Sequence, residues 1–68
     1  MPPKIRKLKS ALRHAGFSER AGKGSHTVWK HPALPDVEIA LSGKNGEDAD
    51  KYQTHDVEQA LKRLGVKL

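Results

Sequence analysis

The residues best suited to chemistry fall in one run, Lys23-Gly24-Ser25-His26, and in its continuation Trp29-Lys30-His31-Pro32. Imidazole is the side chain whose ordinary pKa, about 6.5, suits proton transfer near neutrality. Lys23 and Lys30 supply positive charge for a phosphate and for the extra negative charge of a phosphorane-like transition state. Gly24 lets backbone approach a ligand closely, and Ser25 adds a hydroxyl. A histidine among cations is what RNA cleavage without a metal requires: a base for the 2′-hydroxyl and donors for the non-bridging oxygens. The plainer reading of the same run is a solvated histidine beside a hairpin. His31 stands an odd number of residues beyond His26, so in a regular strand the two rings point to opposite faces. Without a bulge they form no dyad.

Other constellations are weaker. His14, His26, His31 and His55 lack the paired short spacings of a structural zinc site, and there is no cysteine to assist. Asp48-Ala49-Asp50 has the start of a calcium loop but neither its glycine nor its closing glutamate. Gly22-Lys23-Gly24-Ser25 lacks the first glycine of a phosphate-binding P-loop, and the residues after it read as a strand rather than a helix. No metal or cofactor is expected from these residues.

The surroundings are basic. Net charge is +5, but its distribution is uneven. Before Pro32, Lys4, Arg6, Lys7, Lys9, Arg13, Arg20, Lys23 and Lys30 stand against Glu19 alone, which makes +7. From Pro32 onward five cations meet seven acids, which makes −2. Such a basic half suits a phosphate-bearing partner, although lysines also keep small domains soluble. With 68 residues the chain is expected to form a single domain over 1–68, its thin core held without disulfides. No apolar run approaches the roughly 20 residues of a membrane span, and the N-terminus lacks a secretory pattern. A soluble, cytoplasmic protein is therefore expected.

The elements that must position the histidine follow from periodicity. Ile5, Leu8, Ala11, Leu12 and Ala15 predict a helix over 4–15, closed by Gly16. Residues 17–21 are polar and weakly patterned. Gly22-Lys23-Gly24 supplies a hairpin turn before a strand over 25–31. Pro32 and Pro35 break that strand, and Val37, Ile39 and Leu41 alternate through the next. A polar loop over 42–53 has Tyr52 as its expected anchor. Thr54 is the expected N-cap of a second helix, with Asp56 in its first turn and an apolar stripe of Val57, Ala60, Leu61 and Leu64. Gly65 closes it, with Val66 able to pack back on the last turn. The simplest arrangement is an α+β fold, helix-strand-strand-strand-helix, with a three-stranded antiparallel sheet and both helices on one face. Trp29 and Thr27 then face the helices. His26, Val28 and Lys30 project from the open face, where Val28 suits burial by a partner.

Gly16-Phe17, Gly24-Ser25-His26 and Trp29-Lys30-His31-Pro32 together resemble the signature of HicA-type mRNA interferase toxins. The resemblance covers nearly the whole chain, and Gly-Ser-His is its most specific part. It implies a double-stranded-RNA-binding-like α-β-β-β-α fold and a bacterial endoribonuclease toxin acting on mRNA without a metal. It also implies neutralisation by a HicB-type antitoxin that covers the active face. By position, His26 is the catalytic residue and Gly24 the glycine that shapes its turn. Ser25 is grouped with that turn, and charge makes Lys23, Lys30, Arg20 and Lys7 the candidate phosphate contacts. Trp29 is read as a core anchor, and His14 and His55, at helix ends, have no assigned role. Many family members carry a second histidine where Thr27 stands, and a Pro-x-His followed by basic residues where this chain has Leu41-Ser42-Gly43 and then Glu47-Asp48-Ala49-Asp50. That acidic loop is expected to sit away from His26 or to contact the antitoxin, or else to be a solvated loop without a partner. The alternative function is a non-catalytic RNA-binding module using the same basic sheet face.

Overall fold

Ile5, Leu8 and Leu12 recur every three or four residues along α1 (Ile5–His14), and all three are buried. The computed structural model describes residues 2–67. After α1 come β1 (Ser18–Ala21), β2 (Thr27–Lys30), β3 (Ile39–Leu41) and α2 (Lys51–Arg63), an α+β fold in the order α-β-β-β-α. The strands form one antiparallel sheet in the order β1-β2-β3. Trp29 lies opposite Glu19 and Ile39, and Val28 lies opposite Arg20 and Ala40.

Alternation along a strand puts Trp29, Ile39 and Leu41 on one face and Arg20, Val28, Lys30 and Ala40 on the other. A single buried cluster joins the first group to Ile5, Leu8 and Leu12 of α1 and to Val57, Ala60 and Leu61 of α2. Both helices thus share one core with that face. The second face is bare: Arg20, Lys30 and Ala40 are exposed and Val28 is half-buried. Trp29 is fully buried, its indole N–H donating to Thr27 Oγ1 at 2.9 Å. Among the described residues no helix is long and apolar enough to cross a membrane.

The C-terminus of α1 is closed by Gly16 at φ 98°, with Gly16 N–H donating to the Arg13 carbonyl and Phe17 N–H to that of Leu12. His31 completes this end. Its Nδ1 accepts from Ala33 N–H at 3.0 Å, so its Nε2 carries the proton that bonds the Ala15 carbonyl at 2.9 Å. The ring also meets Phe17 edge-on, centroids 5.1 Å apart.

Three expectations about α2 need correction. The helix starts at Lys51, and its N-cap is Asp50, whose carboxylate accepts from Gln53 N–H at 2.8 Å. Thr54 is inside the helix, its hydroxyl donating to the Asp50 carbonyl. No acid lies in the first turn, so Asp56 has no role there. Tyr52 is an exposed helical residue and pins no loop. Asp caps at least as well as Thr, and Asp50-x-x-Gln53 is itself a helix-start pattern.

The acidic loop is committed rather than free. α1 has neither a side-chain N-cap nor an acid in its first turn. Loop carbonyls fill the gap: Glu47 accepts from Ile5 N–H at 2.9 Å and Asn45 from Arg6 N–H at 3.1 Å. Asp48 pairs with Lys4 at 2.6 Å, and Ala49, buried, donates its N–H to Pro3. The loop thus brings negative charge to the positive end of a helix that begins with cations.

Candidate functional site

His26 belongs to the hairpin between β1 and β2, and its backbone does the structural work there. Gly22 N–H donates to the His26 carbonyl at 2.9 Å, and His26 N–H donates to the Lys23 carbonyl at 3.0 Å. Gly24 has φ 58°, a left-handed conformation that a side chain at this position would strain. A Cβ there would meet nothing, so the glycine answers to the backbone alone. The His26 side chain is exposed and its ring makes no hydrogen bond among the described residues.

Continuing the alternation of β2 backward puts His26 on the bare face with Val28 and Lys30. Arg20 lies opposite Val28 and so is diagonal to both His26 and Lys30, about 7–8 Å from each and within reach of a long side chain. Lys30 is about 13 Å from His26 along the strand. Lys23, in the turn, is bonded to His26 through the backbone. The structure thus groups His26, Lys23, Gly24, Ser25 and Arg20 at one end of the face, with Lys30 farther along. Lys7 is not among them. It belongs to α1 and lines a groove in the helix layer with Ser10, His14, Val66 and Lys67. A helix packed on the covered face cannot present its solvent side to the bare one.

Ser25 Oγ accepts from Gly43 N–H at 3.3 Å, which ties the hairpin to the chain leaving β3. Ser42, next along, is opposite His26 when the β2–β3 register is extended, and its N–H donates to Gln53 Oε1 at 2.8 Å. Gly43 has φ 109°, and an added Cβ would stand 2.8 Å from Glu47 Oε2. The expectation that the acidic loop stays away from the site therefore holds only in part. Asp48 pairs with Lys4 and Asp50 caps α2, but the loop must begin beside the hairpin because Ser42 is the register neighbour of His26. Extending the strand pairing is the signal that would have found Ser42 and Gly43.

The basic half is also partly neutralised. Arg13 pairs with Glu19 at 2.8 Å and its guanidinium lies 5.4 Å from the Trp29 ring centroid, while Lys4 is held by Asp48. Among the described residues Arg20, Lys23 and Lys30 have no acidic partner within ion-pair distance. The other end of the β2–β3 connection carries Asp36, whose carboxyl Arg63 holds below its ordinary range by hydrogen bonding. Among the described residues no three histidine, aspartate or glutamate side chains converge to hold a metal ion.

An exposed imidazole flanked by a guanidinium and an ammonium can accept or return a proton while the cations hold phosphate oxygens. No family model, curated protein or solved structure matches the chain.

Proposed function

We propose that this chain is a metal-independent endoribonuclease, an mRNA interferase of the HicA kind, working in the cytoplasm and restrained by a HicB-type antitoxin. The reading is carried by His26, whose exposed ring makes no hydrogen bond or ion pair among the described residues, at the end of a bare sheet face beside Arg20 and Lys23. Its neutral imidazole takes the proton of an RNA 2′-hydroxyl as that oxygen attacks the adjacent phosphorus. The P–O5′ bond breaks, the departing 5′-oxygen takes a proton from water, and the imidazolium then returns its proton to solvent. The products are a 2′,3′-cyclic phosphate and a 5′-hydroxyl. Arg20 and Lys23 hold the non-bridging oxygens, Lys30 holds a phosphate farther along the strand, and Gly24 and Ser25 shape the turn.

Purified protein incubated with a long RNA in EDTA is expected to leave fragments ending in 2′,3′-cyclic phosphate. Cleavage that appears only when magnesium replaces EDTA contradicts the mechanism. Retarded RNA without scission, weakening as salt rises, identifies a binding module on the same basic face instead.

A further inference from the structure

The outer edge of β3 carries backbone groups that the fold leaves unused. The His26 carbonyl accepts from Gly22, so by ladder parity residues 26, 28 and 30 turn their backbone groups toward β1. Residues 27 and 29 turn theirs toward Leu41 and Ile39. Ala40 therefore directs its N–H and C=O away from the sheet. Ser42 follows the same parity, its N–H leaving the sheet for Gln53. Glu38, two residues before Ala40, faces outward likewise, and no loop or side-chain bond takes the groups of Glu38 or Ala40 among the described residues.

One flank of α2 runs beside this edge, where Asp36, Glu38, Asp56, Gln59 and Arg63 line a groove floored by Ile39 and Ala60. Arg63 is spent on Asp36 at 2.9 Å, which leaves Glu38 and Asp56 as the lining acids without an ion-pair partner among the described residues, Lys30 being the register neighbour of Glu38 on the bare face. Tyr52, one turn before Asp56 on the same flank, is 73% exposed, and its ring already receives the Lys51 ammonium at 5.6 Å. Backbone donors and acceptors along an edge, with acids and an aromatic ring beside it, match one kind of occupant. We propose that this edge takes an extended, lysine- or arginine-rich segment of a partner protein as a fourth strand. Glu38 and Ala40 supply main-chain bonds, and Glu38, Asp56 and Tyr52 receive the cationic side chains. The acids make the groove repel nucleic acid, and the site shares no residue with the nuclease reading.

The test titrates the ¹⁵N-labelled full chain with a capped Lys-Val-Lys-Val-Lys-Val peptide and its Glu-for-Lys counterpart. The lysine peptide alone is expected to shift the amides of Glu38, Ala40 and the Tyr52–Arg63 flank. Glu38→Lys combined with Asp56→Lys weakens binding at least tenfold. Ala40→Pro, which removes only the outward N–H, weakens it too; if that variant fails to fold, the charge pair decides alone. No shift at millimolar peptide, an equal response to the glutamate peptide, or shifts on other residues overturns the proposal. Association of the protein with itself that Ala40→Pro abolishes also overturns it, by assigning the edge to a second copy.

Discussion

The two ends of β2 carry a histidine each, and they are built differently. At the His31 end both ring nitrogens are bonded, Phe17 packs against the ring, Leu34 is buried, and Arg63 clamps Asp36. At the His26 end residues 22–26 are all exposed, and the turn is held by main-chain bonds and Ser25 Oγ. A histidine needed for packing spends its nitrogens on the fold. One needed for chemistry must keep them free while its backbone is held. The difference teaches that exposure alone does not mark a site; the role proposed for His26 rests on exposure joined to a fixed backbone and to cations without an acidic partner among the described residues.

The comparison can be pressed hardest at His31. Replacing it with alanine removes two hydrogen bonds and an aromatic edge contact, an expected loss of about 2–3 kcal/mol that thermal or urea unfolding would read. If His31→Ala unfolds like wild type, the ring is not the brace described. The glycines make a finer contrast. Gly16→Ala combines an unfavourable φ with a Cβ 3.0 Å from His31 Nε2 and should cost about 2 kcal/mol, whereas Gly24→Ala meets open space and should cost about 1. Equal losses would mean that the His31 ring yields freely.

The smallest effect is electrostatic. Arg63 lowers the Asp36 pKa in the folded state, so the pair stabilises the protein above the ordinary carboxylate value of 3.8. That contribution fades as pH falls through the lowered folded value. Both side chains are exposed, so salt weakens it, and Asp36→Asn should flatten only the acid limb of a melting-temperature profile. An unchanged acid limb in the variant would remove this clamp from the comparison.

Much of this contrast was legible in the sequence. The three-and-four spacing of α1, the alternation of β3 and the glycine closures state their elements locally, and Trp29 declares itself as core. β1 does not: Ser18–Ala21 is polar and fully exposed, and its strand geometry comes from pairing with β2. The start of α2 was readable in Asp50 and Gln53, but Thr54 offered a rival cap. Charge alone groups Lys7 with the site, but charge carries no information about which layer a helix occupies. The role of His31 depends on a carbonyl sixteen residues away, and that of the acidic loop on a helix forty residues upstream that lacks its own cap. No local pattern encodes either.

The most direct measurement compares RNA cleavage in EDTA and thermal unfolding for wild type, His26→Ala and His31→Ala. His26→Ala should lose at least about 100-fold in cleavage rate with an unchanged melting temperature, while His31→Ala melts earlier but cleaves normally when folded. Cleavage by His26→Ala at the wild-type rate would contradict the assignment.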